Sequence, residues 1–475
     1  MQKDLRESAD RPEQDLLERK TVSRREFLKL AGVAGAAATL GLGVGGLAAG
    51  CGGQTNSTTS GAAVSETGSS TSVSADAETG EEIKLGFVSP QTGGEASFGV
   101  PDKYCVDRWN EAVKDGLICG DGKRHGITVA LNDTQSDANR ASQVTGDLIN
   151  NAGVDIILAA SGGDTVPPAA DQCEANGVPC LTTDTPWGAY LAARGAKNDT
   201  VFKWTYHFFW GLEDIIATYS DIWSRASTNK SVAAMWPNDS MGIPYRKNFG
   251  PVLPKSGFKV VDPGAYQDGS EDYTAQLGQF KKEACEILTG VMMPADFANF
   301  WKQAYQQGYK PKTATVAKCL LFPESLEALG ATGENLTTEV WWTPRHPFKS
   351  SLTGETCQQL GDDFEKRTGK QWTQPIMHYV VFEMAVDALK RAKDPKDKNS
   401  IIEAVKTMKF ESIGGTIDFS SPVQDGTRHP VPNVYKSPVA GGQWVKGAKW
   451  PFDLVVVDNK VAPEITVEAE MKPLA

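Results

Sequence analysis

The chain has 475 residues, 40% hydrophobic, 23% charged and 9% aromatic, a globular composition with room for two or three domains of about 150 residues each. Its 48 Lys+Arg against 59 Asp+Glu give a net charge of −11 with no basic block, which excludes a surface built to neutralise nucleic-acid phosphates. The absence of a short repeat and the ample apolar content exclude fibrous and wholly disordered classes.

Leu30 to Gly50 is a run of 21 uncharged residues, but seven Gly and seven Ala make it only weakly hydrophobic and a poor spanning helix. Just before it, Ser23-Arg24-Arg25-Glu26-Phe27-Leu28-Lys29 resembles the twin-arginine export signal. In that signal Arg24 and Arg25 are a receptor-read address rather than an anchor. The run ends Leu47-Ala48-Ala49-Gly50-Cys51, which resembles a lipobox, with its Leu one position further from the Cys. The resemblance implies a signal peptide over 1–50 and an acylated Cys51 that anchors the protein on the outer face of the cell membrane or in the periplasm. Cleavage at a small-residue site, releasing a soluble protein, is the alternative. Residues 51–81 then read as the lipidated Cys and a Ser/Thr/Gly tether with too little apolar surface to order itself. The 29 residues from Gly52 to Gly80 would span roughly 30 Å as a flexible coil, enough to let a globular body stand off a membrane.

From residue 82 the chain alternates short apolar runs with amphipathic ones. Ile83–Val88, Ile127–Leu131, Val154–Ala160 and Val178–Thr182 read as strands. Between the second and third, Ala141, Val144, Leu148 and Ala152 fall at helical spacing, and Asp164 or Thr165 can cap a helix with Pro167 and Pro168 in its first turn. The pattern restarts with a helix over Phe208–Ser224, strands at Val232–Trp236, Lys259–Val261 and Ile287–Met293, and a strong helix over Pro375–Ala392. The end is β-rich, including Asp453–Val457. Alternation of strand and helix signals parallel sheets covered on both faces, and two such runs predict two lobes, each open to ligand at its strand carboxyl ends.

Eight Cys stand at 51, 105, 119, 173, 180, 285, 319 and 357. Outside the cytosol those with suitable geometry are expected to oxidise, and Cys173–Cys180, linking a helix end to the next strand, is the leading pair. Cys105–Cys119 and Cys285–Cys319 are weaker pairs, and buried free thiols are the competing reading. No C-x-x-C occurs, and the five His (125, 207, 346, 378, 429) show no ligand spacing, so no metal or cofactor is implied.

Ile83–Gly93, Asn132–Asp137, Cys173–Pro179, Trp236-Pro237-Asn238-Asp239-Ser240-Met241-Gly242 and Gly414–Phe419 carry a further resemblance in their order and spacing. Residues 82–475 resemble the periplasmic solute-binding proteins of ABC transporters, of the branched-chain amino acid (leucine/isoleucine/valine) type. The resemblance implies an α/β fold of two Rossmann-like lobes, the type I periplasmic binding protein, joined by three crossovers with the ligand cleft between them. It places lobe one at 82–205 and 323–420, and lobe two at 206–322 and 421–475. It implies a monomer that is not an enzyme, captures a small polar or amphipathic solute by hinge closure, and delivers it to an ABC permease.

The loop Ala160–Asp164 lies between a strand and a helix start, where free N–H groups suit a ligand carboxylate. It matches the family's carboxylate loop, which makes Ser161, Gly162 and Gly163 first candidates; a tight turn with a cap would look the same. After the fourth strand, Thr183 and Thr185 offer hydroxyls, Asp184 a partner for an ammonium, and Trp187 an apolar wall. Phe98 matches a family aromatic at the cleft rim. From lobe two, Trp236, Met241, Tyr273, Met293 and Asp296 fall near strand ends or helix starts, Asp296 close to the carboxylate that holds an ammonium in amino-acid binders. Trp342 and Arg345 match another cleft segment. The aromatic run Lys203–Trp210 reads equally as hinge packing.

Two other readings stay open on sequence alone. A ligand sensor feeding a membrane receptor would use the same lobes. Asn238–Gly242 half-resembles a nucleophile elbow, which would give an α/β hydrolase with Ser240 and His378 or His429, but the first Gly of that motif is absent.

Overall fold

The computed structural model describes residues 77–197, 199–423 and 431–474. The export signal with Arg24 and Arg25, Cys51, most of the tether and His429 lie outside the described residues.

Seventeen strands are described: β1 (Ile83–Ser89), β2 (Leu117–Ile118), β3 (Arg124–His125), β4 (Ile127–Asp133), β5 (Ile156–Ala159), β6 (Cys180–Thr183), β7 (Thr205–Phe208), β8 (Ser231–Met235), β9 (Lys259–Val261), β10 (Ile287–Met292), β11 (Thr313–Lys318), β12 (Thr337–Val340), β13 (Lys409–Ser412), β14 (Gly415–Asp418), β15 (Val434–Tyr435), β16 (Ala440–Lys446) and β17 (Phe452–Asp458). One main sheet has the order β15-β7-β6-β5-β1-β4 and the other β17-β16-β12-β11-β10-β8-β9. The first is wholly parallel. The second is parallel from β9 to β12 and antiparallel through β16 and β17, which are the β-rich end of the sequence.

The strand sequences explain their places. Ile156-Ile157-Leu158-Ala159 is buried at every residue, as a central parallel strand between helix layers must be. Edge strand β4 leaves Thr128 and Ala130 exposed between half-buried Ile127 and Val129. The helix Val166–Asn176 begins with prolines in its first turn and ends at Gly177, whose φ of +65° is the left-handed stop. The helix Tyr379–Arg391 buries ten residues, Val381, Phe382 and Met384 among them, and packs against β5, β6 and the helix Asp102–Val113. Each large aliphatic or aromatic side chain so buried stabilises the fold by about 1.5–3 kcal/mol.

Sheet membership gives three crossovers: β7 to β8, β12 to β15 and β15 to β16. Their positions differ from the expected ones. β7 ends at Phe208, beyond 205; β12 is still in the second sheet, beyond 323; and β15 pairs with β7 in the first sheet, although 421–475 was expected in lobe two. Cys173 and Cys180 are free, buried thiols that adjoin each other, so the disulfide expected there is not formed. The same holds for Cys105, Cys119, Cys285 and Cys319, all free and buried.

Candidate functional site

The carboxyl ends of the two parallel sheets face each other, and a small cavity of about 30 Å³ lies between them. From the first sheet come Phe98, Gly162, Gly163, Asp184, Thr185 and Pro186. From the second come Met241, Tyr245, Ala317, Lys318 and Leu321, and from the crossover segments Phe209, Trp210, Glu339 and Trp341. Five of the fifteen lining residues are aromatic, with one cation and two carboxylates set among them.

The two lobes touch around this cavity. Lys318, the last residue of β11, reaches Glu95 on the opposite lobe with Nζ 3.3 Å from Oε1, and lies 3.9 Å from Asp239. Burial disfavours the ammonium, but Glu95, Asp239 and Asp164 outweigh it and hold Lys318 above its ordinary range. Burial raises the Glu95 carboxyl, with Lys318 opposing. Phe98 meets Phe322 edge-on at 4.8 Å. A Cβ on Gly163 would lie 2.8 Å from Met241 Sδ, and one on Gly94 would lie 2.9 Å from Met293 Cε. At the crossovers, Gln374 ties β12 down by accepting from the Trp341 N–H at 2.9 Å and donating to the Glu339 carbonyl at 3.0 Å.

Of the residues expected in the site, Phe98, Gly162, Gly163, Asp184, Thr185 and Met241 line the cavity. The others do not, each for a visible reason. Ser161 turns its hydroxyl inward to Asp184 and His378, at 3.1 and 3.0 Å. Thr183 donates to the Phe208 carbonyl at 2.7 Å. Trp187 donates from Nε1 to Glu213 at 2.9 Å, outside the cavity. Trp236 packs near Phe249 and Arg246. Tyr273 is core between Tyr266 and Phe300. Met293 sits beside Lys318, with Sδ 3.9 Å from Nζ. Asp296 accepts from the Gly269 N–H at 3.0 Å, and burial raises its carboxyl. Trp342 packs against Trp372, and it is Trp341 that faces the cleft. Arg345 donates to the Leu454 carbonyl at 2.7 Å. The Gly162 amide, expected to meet a ligand carboxylate, donates to the Asp184 carbonyl at 3.2 Å.

No motif in the sequence marks Lys318, Glu95, Glu339, Tyr245, Phe209 or Trp210, and Trp341 stands beside the expected Trp342. One signal was available: Lys318 ends a strand, and ligands of parallel sheets sit at strand carboxyl ends. Glu339 accepts from the Tyr219 and Thr338 hydroxyls, and burial raises its carboxyl. The indole Nε1 atoms of Trp210 and Trp341 are buried with no hydrogen-bond partner among the described residues. The buried Ser240 hydroxyl also has none, and His378 is bonded elsewhere, so no nucleophile–base pair forms there.

Residues 82–443 match the family model described as periplasmic binding protein. The chain belongs to the periplasmic binding protein family, a family of binding proteins rather than enzymes. Residues 21–41 match the twin-arginine translocation pathway signal sequence, so the chain carries an export address. No curated protein matches the chain. Among solved structures, the chain is similar to a leucine-binding protein from Thermotoga maritima MSB8 (18% identity, TM-score 0.64, covering 80% of this chain and 99% of that one). It is also similar to a branched-chain amino acid substrate-binding protein from Streptococcus pneumoniae in complex with isoleucine (16% identity, TM-score 0.62, 79% and 99%). A third is an ABC-transporter solute-binding protein from Rhodopseudomonas palustris BisB5 in complex with 3,4-dihydroxybenzoic acid (18% identity, TM-score 0.63, 81% and 99%).

Proposed function

We propose that this chain is the solute-binding component of an ABC uptake system, exported by the twin-arginine route, anchored through an acylated Cys51 and closing its lobes on a small amphipathic solute for delivery to a membrane permease. The observation that carries the reading is the cavity built jointly by the two lobes, which only a closed form can present to one ligand. In this structure the cavity is drawn down to the room of about two waters, so the lobes must part to admit a solute. Phe98, Phe209, Trp210, Tyr245 and Trp341 suit an apolar or aromatic body. The unpartnered indole N–H groups of Trp210 and Trp341 offer donors to a ligand oxygen, and Lys318 with Glu95 offers both signs of charge to a polar head. Amino acids and aromatic acids, the ligand types of two similar structures, both have this build.

Thermal-shift screening of amino acids, amides, aromatic acids and sugars, with L-isoleucine and 3,4-dihydroxybenzoate as first probes, tests the reading. A ligand that binds only the folded state raises the melting temperature by mass action. No shift across the panel, with chemical turnover of a panel member instead, would overturn it. Loss of membrane association and of fatty-acid labelling in Cys51→Ala tests the anchor; unchanged membrane association would point to release as a soluble protein.

A further inference from the structure

Under the cleft, buried polar side chains converge from separate segments of the first lobe. His378 Nδ1 lies 2.7 Å from Asp102 Oδ1, and its Nε2 lies 3.0 Å from Asp184 Oδ2 and 3.0 Å from Ser161 Oγ. Asp102 also accepts from the Ser89 hydroxyl and, at 2.8 Å, from the Gln91 side-chain amide. Asp102, Ser161 and His378 are wholly buried and Asp184 nearly so. An ionised carboxylate only accepts hydrogen bonds, so a carboxylate on each ring nitrogen calls for a proton on each. Burial acts against the charged ring, but Asp102 and Asp184 outweigh it and raise His378 to about 9. His207 is the contrast: Nε2 donates to the Thr185 carbonyl at 2.7 Å, no carboxylate among the described residues bonds to it, and burial pushes it down to about 3.

Two members of the cluster hold an uncommon backbone. Ser161 has a φ of +69° and Asp184 a φ of +57°, in the left-handed region that disfavours a side chain. These two residues set the direction of the chain into Gly162–Gly163 and into Thr185–Pro186, all of which line the cavity. The turns are also tied to each other, since the Thr185 hydroxyl donates to the Gly162 carbonyl at 3.1 Å. A strained pair of turns persists only where its surroundings fix it, and among the described residues the side chain that hydrogen-bonds to both Ser161 and Asp184 is His378.

We propose that His378 is the positioning residue of the cleft: as a buried imidazolium it clamps Ser161 and Asp184 in their left-handed conformations and so keeps the first-lobe half of the cavity in binding shape. The proposal rests on the reading of this cavity as the solute site. The charged groups facing the ring are Asp102, from the helix Asp102–Val113, and Asp184, from the turn after β6; Glu95 and Glu339 act on Asp184 from beyond it.

The test needs no ligand. In the full chain labelled with ¹⁵N-histidine, the signal lost in His378→Gln reports both ring nitrogens protonated at pH 7.5. A neutral, single-tautomer signal overturns the proposal. In His378→Gln, amide exchange over residues 160–165 and 183–187 rises about tenfold, while β8 and β10 of the other lobe keep wild-type rates. Unchanged exchange in the first two segments also overturns it. Should the variant not fold, the wild type decides: exchange in those segments, corrected for its intrinsic pH dependence, rises between pH 8 and pH 10, and a flat profile refutes the clamp. Failure of every probe to bind would remove the solute-site reading and leave the protonation result standing.

Discussion

Lys318 Nζ stands 3.3 Å from Glu95 Oε1, so an ion pair buried on both sides joins the end of β11 in one lobe to the start of the helix Ala96–Gly99 in the other. Removing only the lysine strands a buried carboxylate, at a cost of about 3 kcal/mol to the closed form. Lys318→Met is therefore expected to open the ligand-free protein, read as a larger radius of gyration in solution scattering. Adding Glu95→Leu restores most of the closure, because the buried carboxylate is then gone and Asp239 keeps the Met241 and Gly242 amides as partners. An unchanged radius in the single variant would show that the pair does not hold the lobes together.

Gly163 has room for no side chain once the lobes meet, since Met241 Sδ and Ser240 Oγ lie 2.8 and 2.9 Å from where its Cβ would be. Alanine can be absorbed by a shift of the methionine tip. Gly163→Leu cannot, and overpacking of this kind costs about 1–3 kcal/mol. The variant is expected to open the ligand-free protein, read as a larger radius of gyration, and to lose about tenfold or more in affinity for whichever probe the thermal-shift panel finds. Calorimetry measures this, and wild-type affinity would mean that the ligand is held without closure.

The pH dependence of stability follows from His378, whose pKa rises from 6.5 to about 9 on folding. A raised folded-state value stabilises fully below the unfolded pKa and is lost as pH climbs through the folded one. Urea denaturation should thus show the wild type ahead of His378→Gln by about 3 kcal/mol at pH 6, with the gap closing by pH 10. The difference between the two proteins isolates this histidine from the Tyr and Lys groups that also titrate there. A gap that widens toward pH 10 would contradict the sign.

The Cys173 and Cys180 thiols adjoin each other at the end of the helix Val166–Asn176 and the start of β6. Burial raises the Cys173 thiol, so the pair reacts slowly once folded. The pair is therefore expected to stay reduced in the exported protein, with both cysteines alkylated only after denaturation in mass mapping. The remaining five thiols of the described residues are free as well. A joined 173–180 peptide under non-reducing conditions would refute the expectation.

How far the site can be read from the sequence follows from how locally each part is encoded. Gly162 and Gly163 were legible because they follow the strongly hydrophobic β5, and Asp184 and Thr185 because the run Val178–Thr182 marks β6, and strand ends are where ligands of parallel sheets sit. Lys318 was not, because β11, Thr313-Ala314-Thr315-Val316-Ala317-Lys318, is wholly buried yet poor in large aliphatic residues and shows no hydrophobic run. β12, Thr337-Thr338-Glu339-Val340, hid Glu339 in the same way and moved the lobe boundary past 323. Trp341 lines the cavity and Trp342 packs on Trp372, and no period in this irregular segment tells the two apart.

The sequence by itself determined the export address, the two series of strand–helix units and the turns at their ends, since each is written in contiguous residues. Only the tertiary structure decided which side chains share the cavity. Glu95 and Lys318 lie more than two hundred positions apart, as do Asp102 and His378, and they meet only because strand order and crossovers bring them together. Local patterning carries the burial of a strand or helix face, but the pairing of buried charges depends on which elements end up facing each other, and no local period records that.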